Sequence, residues 1–322
     1  VIPRDRQGAV LRVDLALEGP LKAQQPRILT LAYKALEHIE GTDEVEILVN
    51  GQPAPRPERR APRAIPGIRH VVAVASGKGG VGKSTVAVNL AVALARRGEL
   101  VGLLDADVYG PNVPTMIGLK GAPTAAMVGG RLKPLVAYGV KVLSVGLLGV
   151  GESALVWRGP LLGKVINQLL FQADWQPLDT LVVDLPPGTG DVALTLVQSA
   201  PLSGAVIVAT PQDVALEDAV RALAMLRDAG VPILGLVENM ASFTCPDCGR
   251  HTEIFGRGGV RRAAAARDLP LLAELPLVEA IRAGGDAGHP AAADPVLASF
   301  FEPLAARVAA ALAALPAVST AS

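Results

Sequence analysis

The stretch from Ser76 to Thr85, SGKGGVGKST, constrains this chain more than any other. It places Gly77, Gly82, Lys83 and Ser84 in the G-x-x-x-x-G-K-[ST] spacing of a phosphate-binding loop. An apolar, β-branched run at 71–75 precedes it and a helical pattern, TVAVNLAVALARR, follows. That strand–loop–helix order separates a phosphate loop from a glycine-rich structural turn. Gly77, Gly79, Gly80 and Gly82, with Val81 among them, allow the backbone to wrap a phosphate with its N–H groups pointing inward. The helix that follows adds the positive end of its dipole. Lys83 is expected to reach the terminal phosphates of ATP, and the Ser84 hydroxyl to bind Mg²⁺.

A second lysine, Lys78, stands just after the first glycine, where an ordinary phosphate loop requires no cation. The resulting K-G-G-V-G-K resembles the deviant Walker A loop of the MinD, ParA and nitrogenase iron protein group. The resemblance implies that Lys78 crosses a dimer interface to the partner's nucleotide, so that ATP favours a face-to-face homodimer. A solvated surface lysine is the alternative reading.

The chain has 322 residues, enough for one large α/β domain and a smaller piece. Its formal net charge is zero, so bulk charge gives no reason to expect nucleic-acid or membrane binding. No apolar run approaches the roughly 20 residues of a membrane span. The first ten residues carry positive charge without an apolar core and are not read as a signal peptide. With two cysteines and no disulfide framework, a cytoplasmic location is expected.

Residues 1–50 read as a small, partial α/β segment: a strand in VLRVDLAL, a helix in PRILTLAYKALEHI with Ile28, Leu31, Leu36 and Ile39 on or near one face, and a strand in VEILVN. Residues 51–69 are rich in Pro and Arg and read as a linker. Residues 70–315 read as the nucleotide-binding domain and 316–322 as a tail. Strands are expected at 71–75, 100–104, 140–145, 179–184, 204–209, 231–238 and 271–275, with helices between most of them. An Ala-rich helix over 292–315 closes the domain. Several strands are nearly continuous apolar runs, as in a parallel sheet covered on both faces. The expected fold is therefore α/β, a doubly wound and mostly parallel sheet of the P-loop NTPase type, with ligands at the carboxyl ends of its strands.

Two acidic clusters fall at strand ends. Asp184 suits Mg²⁺, held directly or through water, and Asp107 is placed to orient or deprotonate the attacking water. Asp191, further along, reads as the cap of the next helix. The bland alternative is that the acids only cap loops and helices.

GKGGVGKST, DADVYGPN, WRGP, VVDLPPGTGD, TPQDVALEDA, VENMASFTCPDCG and IFGRGG occur in this order. As a set they resemble the Mrp (ApbC-type) family of iron–sulfur cluster carrier ATPases over about residues 70–290. The resemblance implies that Lys78 is the intersubunit lysine, that Lys83, Ser84 and Thr85 belong to the phosphate loop, and that Asp107 and Asp184 lie in the two switches. It also implies that Asn239 reads the adenine edge, where an amide can donate and accept at once. The small N-terminal segment matches only the second half of the domain found in many family members.

Cys245 and Cys248 are the chain's thiols. Zinc and iron–sulfur clusters usually need four ligands, and one chain offers two, or three with His251. Two copies supply four thiolates, which favours a 4Fe–4S cluster bridging a homodimer. A bridging zinc and a redox disulfide are the alternatives. The function expected is an ATP-hydrolysing carrier that takes a cluster from a donor and passes it to apo iron–sulfur proteins. The runner-up is a MinD/ParA-like positioning or regulatory switch with a structural dimer-bridging metal.

Overall fold

In the computed structural model, residues 10–36, 39, 44–56, 64–108, 110–122, 125–148 and 159–315 are described. Trp157 and Arg158 of the WRGP motif and the tail 316–322 lie outside them. The chain divides into two compact units, Val1–Ala61 and Pro62–Ser322.

In the first unit β1 (Val10–Leu15) pairs in parallel with β2 (Glu44–Val49), and α1 (Gln25–Leu36) connects them; β3 (Gln52–Pro53) adds an antiparallel edge to β2. The small core is Leu17, Leu29, Tyr33, Ile47 and Val49. The expected apolar face of α1 needs correction. Leu31 and Ile39 are 58% and 45% exposed, whereas Leu29 and Tyr33, one turn apart, are buried. Leu31 lies two residues from Leu29, about 200° around the helix, so both cannot face one core.

The second unit runs β4 (Ile68–Ala75), α2 (Lys83–Arg96), β5 (Val101–Asp105), α3 (Val113–Met116), β6 (Met127–Val128), β7 (Arg131–Leu132), β8 (Leu135–Ala137), β9 (Val140–Ser144), α4 (Gly159–Phe171), β10 (Leu178–Asp184), α5 (Asp191–Ser199), β11 (Gly204–Ala209), α6 (Asp213–Asp228), β12 (Ile233–Thr244), β13 (His251–Thr252), α7 (Gly259–Ala265), β14 (Leu271–Leu277), α8 (Glu279–Asp286) and α9 (Glu302–Ala313). The main sheet has the order β13-β12-β11-β4-β10-β5-β9-β8, and β14 also pairs with β12. The pairings from β14 to β9 are parallel; β8 and β13 run antiparallel to their neighbours. The expected α/β, doubly wound sheet is what forms.

Period-two alternation divides β4 between two cores. Val71, Ala73 and Ala75 join the core of α4, α5, α6 and α7, while Val72 and Val74 join that of α2 and α9. From β4 the chain crosses over β10 to β5, and later returns on the other side as β11. The crevice beyond the carboxyl end of β4 is thus a switch point of the winding, where ligands of such sheets bind.

In this unit β6, β7, β8 and β13 are not among the expected strands, and two expected elements have substantially different bounds. The closing helix starts at Glu302, not 292, because Asp294 Oδ1 accepts from the N–H groups of Val296 and Leu297 (2.8 and 3.0 Å) and Pro295 follows it. β12 continues past residue 238 to Thr244, turning at Met240 (φ 56°) with a register shift against β14.

Candidate nucleotide and cysteine sites

The phosphate loop leaves β4 at Ser76 and enters α2 at Lys83. Gly80 and Gly82 have φ of 81° and 82°, the left-handed region that glycine adopts without penalty. Gly77 serves a different need. A Cβ there would stand 2.0 Å from the Asp218 carbonyl carbon of α6, so this glycine lets the loop pack against a helix backbone. Gly79 is exposed, and a Cβ there would meet nothing within 4 Å. Val81 is buried beneath the loop, and Ser84 and Thr85 are half-buried in the first turn of α2. Lys78 is half-buried, and its carbonyl accepts from the Ser76 hydroxyl at 3.0 Å. Its ammonium forms no ion pair among the described residues.

Lys83 does not point into open solvent. Its Nζ donates to Asp184 Oδ1 at 2.6 Å and to Ser84 Oγ at 3.3 Å, with Lys83 6% and Asp184 0% exposed. Asp184 closes β10, in register with Val74 of β4 and Asp105 of β5. Its other oxygen, Oδ2, is buried and has no hydrogen-bond partner. A wholly buried carboxylate oxygen without a donor is costly, so the position suits a cation or a metal-bound water.

Asp107 is half-buried on the loop after β5, and its backbone N–H donates to Asp105 Oδ1 at 3.1 Å. Asp105 itself is buried and also accepts from the Val113 N–H (3.3 Å) and the Ser144 hydroxyl (3.0 Å) at Oδ2. Burial, and then the Asp184 charge, push the Asp105 carboxyl up to about 8. Burial also raises Asp184, against the pull of the Lys83 ammonium and the Ser84 hydroxyl. The loop after β10 joins the site through Gly188, whose N–H donates to the Ser76 carbonyl at 3.0 Å. Helix α5 begins at Asp191 with Gly190 as its N-cap, so the expected cap falls one residue earlier.

Asn239 is buried at the bend of β12, and its Nδ2 donates to the Val81 carbonyl at 2.8 Å. It therefore braces the phosphate loop: a Cβ at Gly82 would stand 2.2 Å from that nitrogen. The neighbouring Glu238, absent from the sequence reading, is buried and holds the start of α7 through the Val260 N–H at 2.8 Å.

The cysteines lie apart from this cluster, at the tip of the hairpin β12–β13. Thr244 pairs with His251; inside that pair the Cys245 N–H donates to the Arg250 carbonyl (3.0 Å) and the Gly249 N–H to the Cys245 carbonyl (2.9 Å). Cys245 is half-buried and Cys248 exposed. Backbone N–H groups of Cys248 and Asp247, with the Cys248 thiol, hold the Cys245 thiol below its ordinary value. His251 sets Nδ1 against Thr244 Oγ1 at 3.4 Å. Among the described residues, no three His, Cys, Asp or Glu side chains come together as a metal site.

A glycine-bent loop at a switch point, an N-terminal helix turn after it and a buried Lys–Asp pair joining that turn to the end of β10 define a P-loop nucleotide-binding protein. Comparison with known proteins narrows the class. A family model described as NUBPL iron-transfer P-loop NTPase, of the ParA kind, matches residues 67–309, and the chain belongs to this family. The iron–sulfur cluster carrier protein of Synechocystis is 45% identical over 287 residues, 88% of this chain and 81% of that one. A nucleotide-binding protein of Archaeoglobus fulgidus, solved in complex with ADP, is 38% identical with a TM-score of 0.64, covering 73% of this chain and 93% of that one. The cell division ATPase MinD of Pyrococcus furiosus is a more distant likeness, 27% identical with a TM-score of 0.59, covering 75% of this chain and 98% of that one. Among the described residues, no helix is long and apolar enough to cross a membrane.

Proposed function

We propose that this protein is a cytoplasmic, ATP-hydrolysing carrier that holds a 4Fe–4S cluster between two copies of the chain and hands it to apo iron–sulfur proteins. The observation that carries the reading is one chain joining a phosphate loop to a hairpin that presents two thiols. Cys245 and Cys248 of both copies provide the four thiolates that such a cluster takes. The exposure of Cys248 suits a cargo that must leave.

At the nucleotide, the loop from Gly77 to Thr85 cradles the phosphates with backbone N–H groups, and Asn239, whose amide braces that loop, reads the adenine edge. Lys83 neutralises the terminal phosphates by turning from Asp184. Ser84 and Asp184 hold Mg²⁺, which when bound spreads the charge of the transferred phosphoryl group. Asp107 orients the attacking water, and Lys78 reaches the nucleotide of the second copy. Hydrolysis then alters the dimer contact that shapes the cluster site, through the loop after β10, whose Gly188 N–H meets the phosphate loop at Ser76. Anaerobic reconstitution with iron and sulfide, followed by Mössbauer spectroscopy and transfer to an apo-enzyme, tests this reading. Failure to take up a cluster under any nucleotide condition would sink it.

A further inference from the structure

Ser144 lies outside every motif that carries the nucleotide chemistry, yet it is fully buried and ends in the site. Its Oγ accepts from the Gly146 N–H at 3.1 Å and donates to Asp105 Oδ2 at 3.0 Å. The same carboxyl takes the N–H of Asp107 on Oδ1 and that of Val113 on Oδ2. The two backbone bonds tie Asp107 and Val113 to one carboxyl, and Ser144 fixes that carboxyl. Strand register brings the two residues together: Asp105 and Ser144 are directly paired across β5 and β9.

We infer that Ser144 and Asp105 are positioning residues for hydrolysis: they set the place of Asp107 without touching substrate. Two burials support this over packing alone. Asp105 and Ser144 are 1% and 0% exposed, so neither meets water or nucleotide directly, and the loop they clamp carries the half-buried acid. A polar bridge sealed in this way fixes geometry, because each donor has one acceptor within reach. Displacing a catalytic group by an ångström costs on the order of 100-fold in rate. Removing one of the three donors to Asp105 is a smaller disturbance, so Ser144→Ala should lower kcat about 10-fold.

The inference rests on the reading of Asp107 as the water-orienting group, and a double-mutant comparison separates the two. Phosphate release, KM for Mg·ATP, ADP affinity and melting temperature are measured for Ser144→Ala, Asp107→Asn and the pair. Ser144→Ala should lower kcat while KM and ADP affinity stay within about 2-fold, and Ser144→Thr, which keeps the hydroxyl, should recover most of the rate. In the Asp107→Asn background, Ser144→Ala should cost nothing further. Where Ser144→Ala fails to fold, Asp105→Ala, which removes the acceptors of the clamp, takes its place in the same comparison. A wild-type kcat in Ser144→Ala, or a loss that multiplies with that of Asp107→Asn, overturns the inference. If Asp107→Asn itself turns over normally, the role of Asp107 fails first, and the inference with it.

Discussion

Replacing Lys83 with alanine should damage the fold as well as the chemistry, and to a degree that depends on pH. The ammonium lies 2.6 Å from Asp184 Oδ1, and both groups are buried. Removing one partner of such a pair costs about 3–5 kcal/mol, because the other is left charged and unpaired. Asp184 can escape by taking a proton, since burial already raises its carboxyl. The sign follows. The variant's folded-state value lies above the unfolded value of about 4, so the penalty is absent below that pH and grows as pH rises toward the folded value. In a domain of this size 1 kcal/mol moves the melting temperature by about 2–4 °C. Lys83→Ala should therefore melt about 6–20 °C below wild type at pH 8 and much closer to it at pH 5. Nucleotide binding or hydrolysis should fall sharply as well. Adding Asp184→Ala removes the stranded carboxyl, and should restore melting at pH 8 without restoring hydrolysis. Circular dichroism melts of the three proteins at both pH values test this. A Lys83→Ala protein that melts within about 2 °C of wild type at pH 8, or a double variant no more stable than the single, refutes the reasoning.

Lys78→Ala should keep most of its nucleotide binding and lose hydrolysis, read by ADP titration and phosphate release; turnover at the wild-type rate would remove the cross-dimer role. Asp107→Asn should bind Mg·ATP and hydrolyse it at least about 10-fold more slowly, whereas Asp184→Asn should also shift the Mg²⁺ dependence of the rate to higher concentration. Burial pushes the Asp105 carboxyl up to about 8, so wild-type stability should fall between about pH 4 and about 8, as the unfolded chain ionises first. Asp105→Asn carries no such charge, and its stability relative to wild type should rise with pH across that window; urea titrations giving parallel curves would contradict this.

The parallel strands were legible because most are nearly continuous apolar runs bounded by loop residues, and the phosphate loop because strand and helix flank its glycines. Less visible was what burial does to particular side chains. Asp105 and Asp107 read alike in DADVYGPN, but only Asp105 is the last inward residue of its strand, and register sets it beside Asp184 and Ser144. The strand order that brings them together is a tertiary fact, as is the partner of Lys83. Gly77 is plain as a motif glycine, while its contact with α6 involves a helix about 140 residues further on. The face of α1 was misjudged because several apolar residues lie all round that helix, and a core of five residues uses one stripe. β12 read as ending at 238 because its apolar run gives way there to the mixed residues NMASFT, and the strand bends at Met240. That bend puts Asn239 against the phosphate loop and carries Cys245 and Cys248 out on a hairpin.

The central claim is a cluster shared by two chains, and its most direct measurement is iron and sulfide content against molecular mass in anaerobically loaded protein. The account predicts four irons and four sulfides per dimer by the four-thiolate rule. Both should be lost in Cys245→Ser and in Cys248→Ser, and each variant should stay folded and still bind ATP. A full four-iron cluster on a monomer would contradict it, and so would one tightly held zinc per dimer that resists replacement by iron and sulfide.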